Sequence, residues 1–223
     1  MTGRSGRLVA LLAAVGLAAA CGIPTDDAPR DVPPRGLDAE TPTSTALAGG
    51  SDAYVYLSSA DHLVPVEQEV GNGTVEERVA ALLARQPAGG STASQVPAGT
   101  RLLGVVRNAS VVTLDLSDEF DNLQGVARRL AAAQLVMTVT ESTGVEDVLF
   151  RVEGKLARVD SPVVGDTDRV RACDYVALLP TAEQARRDGL DPDAVRHVAR
   201  RRASLERRCP DQDGSGTAAT EPG

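Results

Sequence analysis

Hydrophobic and polar positions change period several times along the chain, and each change marks a predicted element. Residues 53–57 (Ala-Tyr-Val-Tyr-Leu) and 63–67 (Leu-Val-Pro-Val-Glu) are short apolar runs on either side of polar residues 58–62, which predicts two strands and a turn. Thr74 stands before Val75, Val79, Leu82 and Leu83, which recur at helical spacing, so a capped helix is expected, stopped by Pro87, Gly89 and Gly90. Residues 101–107 and 111–116 are rich in Val and Leu and flank Asn108-Ala109-Ser110, predicting a hairpin with Val112, Leu114 and Leu116 on its inner face.

After an acidic turn at residues 117–122, Leu123, Val126, Ala127, Leu130, Gln134 and Met137 fall three or four apart, predicting a long helix over 123–140 with one mostly apolar face. Gly144 ends it, and Val148, Phe150 and Val152 alternate into a further strand before the turn at Gly154. The order strand, strand, helix, strand, strand, helix, strand suits an α+β domain with a largely antiparallel sheet and two packed helices. Beyond it, residues 171–179 (Arg-Ala-Cys-Asp-Tyr-Val-Ala-Leu-Leu) read as another apolar strand laid on the core. Asp191-Pro192, a cap and a first-turn proline, opens the helix of a C-terminal extension.

The two ends of the chain follow other rules. Arg4 and Arg7 precede an uncharged run over residues 8–20, the layout of an export signal. The run is too short to span a bilayer, which takes about 20 residues. It closes in Leu17-Ala18-Ala19-Ala20-Cys21-Gly22, which resembles the lipobox of bacterial lipoproteins, with Ala18 where leucine is commonest. The resemblance implies cleavage before Cys21 and a diacylglyceryl thioether on its sulfur, and two acyl chains anchor stably where one does not. Residues 22–52 carry Pro24, Pro29, Pro33, Pro34 and Pro42 among polar residues and are expected to be a disordered tether, about 30 Å long as a flexible coil. Residues 210–223, polar and Gly-rich, are expected to be a disordered tail. The expected organisation is thus a signal peptide at 1–20, an acylated tether at 21–52, a domain at 53–158, an extension at 159–209 and the tail.

Loss of the signal removes two arginines and no acid, leaving 21 basic and 31 acidic residues, a net charge of about −10. That balance argues against nucleic acid and against general attraction to anionic lipid, so membrane residence falls to the acyl chains. With Cys21 acylated, Cys173 and Cys209 are the remaining thiols. An oxidising compartment and an even remainder suggest that they pair, two inert core cysteines or a metal pair being the other readings. His62 and His197 offer no metal-ligand spacing, so neither metal nor cofactor is expected.

Five segments in order resemble the GerMN domain, known from sporulation and spore-germination proteins and from envelope lipoproteins of high-GC Gram-positive bacteria. Tyr54-Val55-Tyr56-Leu57 with Leu63-Val64-Pro65-Val66 is similar to the family's opening, and Arg78-Val79-Ala80-Ala81-Leu82-Leu83-Ala84-Arg85 to its first helix. Pro97-Ala98-Gly99-Thr100-Arg101-Leu102-Leu103 is similar to its entry into the hairpin, and residues 112–120 (Val-Thr-Leu-Asp-Leu-Ser-Asp-Glu-Phe) to its most recognisable strand and turn. Residues 133–141 (Ala-Gln-Leu-Val-Met-Thr-Val-Thr-Glu) complete it. The resemblance spans about residues 53–158 and implies no catalytic residues. It implies an extracytoplasmic interaction module, since members take part in envelope complexes and one set acts beside a sensor kinase. A single such domain sets this chain apart from the tandem sporulation protein.

Asp115, Asp118, Glu119 and Asp121 present hard oxygen ligands for a divalent cation, but a solvent-facing Asp115 and a helix cap from Asp121 or Asn122 account for them better. No GxSxG elbow is present and the two histidines lie in unrelated segments, so no catalytic residues are expected. Gly71-Asn72-Gly73-Thr74 reads as a turn and helix cap rather than a phosphate cradle. The arginines Arg196, Arg200, Arg201, Arg202, Arg207 and Arg208 read as a solvated face or as partners of the acidic domain. The expected protein is a lipid-anchored, non-catalytic module on the extracytoplasmic face of the cell membrane that binds an envelope protein. The alternatives are a receptor for a small ligand or peptidoglycan and, less favoured, a wall-acting enzyme.

Overall fold

Strands β1 (Ser51–Ser59) and β2 (His62–Val70) form an antiparallel hairpin in which Val55 faces Val66 and Ser59 faces His62. The turn narrows to Ala60 and Asp61, with Ala60 at φ 51°, so both strands run longer than their apolar centres suggest. The computed structural model describes residues 51–85 and 92–209. The export signal, Cys21, the tether, the helix stop at Pro87, Gly89 and Gly90, and the tail therefore lie outside the described residues.

Helix α1 (Val75–Leu83) starts where Thr74 caps it, the Thr74 hydroxyl accepting from Glu77 N at 3.2 Å while the Glu77 carboxylate accepts from Thr74 N at 3.1 Å. It buries Val75, Val79 and Leu82. Strands β3 (Leu102–Asn108) and β4 (Val111–Leu116) form the second hairpin, with a bulge between Leu102 and Gly104. Val112, Leu114 and Leu116 are wholly buried. The acidic turn that follows is a 3-10 helix (Asp118–Asn122) anchored by Phe120, whose ring lies 5.7 Å from that of Phe150.

Helix α2 (Gly125–Val139) crosses from β4 to β5 (Asp147–Val152). Because a crossover helix joins them, β4 and β5 pair in parallel, the one parallel pair in a sheet that is otherwise antiparallel among the described residues. Two expectations for α2 are corrected. Its N-cap is Gln124, with no side-chain cap; Asp121 and Asn122 belong to the preceding 3-10 turn instead. Nor does it present one apolar face: Val126 is 63% exposed, while residues 131–140 are buried on every side, Gln134 included. Enclosure explains this, since α2 packs against β1, α1 and, further along the chain, β7 (Val159–Ser161).

Four short strands follow β5: β6 (Lys155–Ala157), β7, β8 (Gly165–Thr167) and β9 (Arg169–Arg171). The five-stranded sheet runs β3-β4-β5-β6, with β9 pairing to the first half of β5, and β7 and β8 form a separate hairpin. The apolar segment expected as a strand at 171–179 is a 3-10 helix (Ala172–Leu178) that buries Ala172, Asp174, Tyr175 and Val176. Its apolar positions are not alternating but clustered, which a tight helix buries and a half-exposed strand does not. Helix α3 (Ala182–Arg187), unforeseen in the sequence, is capped by Thr181.

Helix α4 (Pro192–Arg208) opens as predicted, Asp191 Oδ1 accepting from the amides of Asp193 and Ala194. It lies against β2, α3 and the 3-10 helix Ala172–Leu178, and Val195, Val198 and Leu205 join the same core as Val79, Leu114 and Met137. Among the described residues, no helix is long and apolar enough to cross a membrane.

Candidate functional site

Where α4 docks, polar chemistry replaces apolar packing. Ala194, Val198 and Leu205 are buried, and Arg201 falls on the same stripe between Val198 and Leu205, so the fold must take a guanidinium inward. Its Nη2 donates to the carbonyl and hydroxyl oxygens of Thr140 at 3.1 and 2.7 Å, and its Nε lies 3.3 Å from Glu141 Oε1. That last contact is an ion pair without a hydrogen-bond angle, which leaves Nε unsatisfied.

Glu141 Oε1 collects further partners. Tyr56 Oη donates to it at 2.8 Å and His197 Nε2 lies 3.2 Å away. Burial opposes its charge, but the His197 contact, the Arg201 charge and the Tyr56 hydroxyl together hold the carboxyl below its ordinary range. Burial and the neighbouring Glu141 push the Tyr56 hydroxyl well above its ordinary value. The His197 ring stacks on Tyr54 with centroids 3.7 Å apart. A His, a Glu and a Tyr in contact thus hold β1, the end of α2 and α4 together.

Beside this cluster lies a cleft of about 520 Å3. Arg201, Leu205 and Arg208 of α4 form one wall; Arg171, Ala172 and Cys173 form another; Thr140, Val145 and Glu146 complete it. A disulfide between Cys173 and Cys209, Cα atoms 5.8 Å apart, joins the start of the 3-10 helix to the end of α4.

The other sequence candidates disperse. Asp115 Oδ1 accepts from Gly154 N at 2.9 Å, Glu119 accepts from the Ser117 hydroxyl, and Asp121 pairs with Arg128 at 3.1 Å. Among the described residues, no three His, Cys, Asp or Glu side chains gather where they could hold a metal. The amides of Asn72 and Thr74 are taken by the Glu77 carboxylate at 2.8 and 3.1 Å, so they are not a phosphate cradle. His62 sits at the β1–β2 turn, its Nδ1 2.6 Å from Asp61, while His197 faces Glu141. The arginine run divides: Arg201 turns inward, Arg202 donates to the Leu179 carbonyl at 2.6 Å, and Arg196, Arg200, Arg207 and Arg208 are exposed.

Tyr56, Glu141, His197 and Arg201 were not read from the sequence as a group. One signal was present, a charged residue at 201 on an otherwise apolar helical stripe.

Residues 54–158 match the family model described as Germane, sporulation and spore germination. The chain carries a GerMN-type domain. Solved structures similar to it include the tandem GerMN domains of the sporulation protein GerM from Bacillus subtilis, 18% identical with a TM-score of 0.44 over 56% of this chain and 47% of that one. The first GerMN domain of the same protein matches at 16% identity and a TM-score of 0.44, over 54% of this chain and 97% of that one. A protein from Clostridium perfringens assigned as a lipoprotein matches at 17% identity and a TM-score of 0.39, over 56% and 89%. The chain spans about half the length of the tandem protein. No curated protein matches the sequence. The GerMN-type domain supplies β1, α1, the five-stranded sheet through β6 and all of α2; the cleft's second wall and α4 lie beyond its matched residues.

Proposed function

We propose that the protein is a lipid-anchored, extracytoplasmic lipoprotein whose GerMN-type domain holds an envelope protein partner without catalysing a reaction. The lipobox-like Ala18-Ala19-Ala20-Cys21 and the polar, proline-rich residues 22–52 support the anchor and its reach. The buried polar cluster supports a non-catalytic role, because Glu141, His197 and Tyr56 satisfy one another and pin α4.

The observation that carries the binding role is the edge of the five-stranded sheet. Among the described residues β3 pairs with β4 alone in that sheet, and Leu103 and Val106 on it are 45% and 62% exposed. Apolar side chains on an edge strand invite a further strand unless something guards them, and partners use this by laying an extended segment alongside. The occupant favoured is therefore an extended, apolar segment of a second envelope protein.

Crosslinking in intact cells followed by capture of the wild type, Cys21→Ala and Val106→Lys tests both halves. A specific protein captured by the wild type, weakened by Val106→Lys and lost with release of Cys21→Ala from the membrane, is expected. Equal capture by wild type and Val106→Lys overturns the edge-strand reading, and a wild type without lipid on Cys21 overturns the anchor.

A further inference from the structure

The chemistry of the cleft beside the disulfide can be read from its walls. Three of its nine lining residues are arginines, Arg171, Arg201 and Arg208, against one acid, Glu146. In a mature chain of net charge about −10 such a local excess runs against the whole. Arg201 commits Nη2 to Thr140 and holds Nε in ion-pair range of Glu141 without a hydrogen bond; among the described residues Nη1 makes no hydrogen bond to protein either. Arg171 and Arg208 are exposed side chains with no ion pair within 4 Å among the described residues, the Arg171 guanidinium lying near enough to the Asp174 carboxylate to favour its charge without a direct contact.

Guanidinium groups present planar, paired donors that match the two oxygens of a carboxylate or phosphate. Between them Val145, Ala172 and Leu205, beside the Cys173 disulfide, supply the apolar part of a lining that is otherwise polar. The volume, about 520 Å3, lies within the range of small-ligand sites. We propose that this cleft binds an oxyanion, carboxylate or phosphate, carried on a short apolar stem, with Arg171 and Arg208 as its direct partners and Arg201 as the fixed cation behind them. This site is separate from the β3 edge and stands whether or not a protein docks there.

The test titrates the oxidised full-length chain calorimetrically with N-acetyl-L-leucine, with its uncharged amide, and with isobutyl phosphate. Saturable binding of either anion and none of the amide is expected, with the preferred anion telling a carboxylate source from a phosphate source. Arg171→Gln and Arg208→Gln should each weaken it about tenfold, the loss of one charge-assisted contact, while Glu146→Gln should tighten it. Arg196→Gln, a change outside the cleft, should leave it unchanged. Thermal melts matching the wild type show that these exposed substitutions leave the fold intact. Failure of both anions to saturate, binding of the amide as tight as the acid, or affinity indifferent to both cleft arginines overturns the proposal.

Discussion

Arg201 on α4 reaches Glu141, one residue past the C-cap of α2, placing Nε 3.3 Å from Oε1 where the two side chains are only 14% and 15% exposed. The pair spans 60 positions of sequence and fixes the last helix to the centre of the fold. Removing the carboxylate alone strands a guanidinium in a nearly closed site, which costs more than the pair itself contributes. Glu141→Gln should therefore lower stability by about 3 kcal/mol at neutral pH.

The same carboxyl sets an acid dependence. In the fold Glu141 is held below its ordinary range despite burial, by His197, Arg201 and Tyr56. A depressed carboxyl adds stability that is present above its unfolded value and lost as pH falls through its folded value. Urea unfolding of wild type and Glu141→Gln should thus show a gap that is widest near pH 7 and narrows below about pH 4.5. A gap constant from pH 7 to pH 3 would show that the loss is one of packing, not of charge.

The Cys173–Cys209 bond closes a loop with a sequence separation of 36. By the chain-entropy estimate its removal costs at most about 4 kcal/mol. Cys173→Ser with Cys209→Ser should lower the melting temperature while the core survives, because Val195, Val198 and Leu205 still pack. Melts under oxidising and reducing conditions check this, and a wild type indifferent to reductant would mean that the protein does not carry the bond.

Much of this fold was legible because local rules and tertiary demands agree. Thr74 and Glu77 specify a helix start by themselves, and Val112, Leu114 and Leu116 alternate because one face of β4 is buried. Disagreement appears where enclosure overrides period. Residues 131–139 of α2 are buried all round, so Gln134 on the expected apolar face and Thr138 off it are equally inside, and no face could be told from another. The strands β6 to β9 span three residues each, too short for any alternation to register. The cleft was illegible for a different reason: Thr140, Arg171 and Arg208 meet only through the path of the chain, and their residue types carry no spacing signal.

Gly144 ends the α2 segment with φ +75°, and a Cβ there would stand 3.1 Å from Arg107 Nη2. That nitrogen donates to the Thr143 carbonyl at 2.8 Å. Gly144→Ala therefore carries both left-handed strain and a displaced arginine, whereas Gly165→Ala, at φ +77° with nothing within 4 Å, carries strain alone. Both should destabilise, by about 1 kcal/mol for Gly165→Ala and more for Gly144→Ala. Equal losses in denaturant unfolding would place the whole cost in the backbone.

Gln134 is wholly buried on α2 and uses both ends of its amide: Oε1 accepts from Gln95 N at 2.7 Å and Nε2 donates to the Ala93 carbonyl at 3.2 Å. Ala93 also exchanges both backbone hydrogen bonds with Ser58 of β1, at 2.9 and 2.8 Å. The glutamine thus ties the chain leading into β3 to the centre of the domain. Gln134→Leu keeps the volume but orphans the Gln95 amide, while the Ala93 carbonyl keeps its bond from Ser58. The cost should be about 1 kcal/mol, at the low end for a donor left without a partner, because Gln95 is only half-buried. It should also be local. Hydrogen exchange at Gln95 should accelerate beyond the global loss of stability, with the Ser58–Ala93 bridge still protected; uniform acceleration across β1, α2 and residue 95 would mean that Gln134 supports the whole core rather than this one crossing.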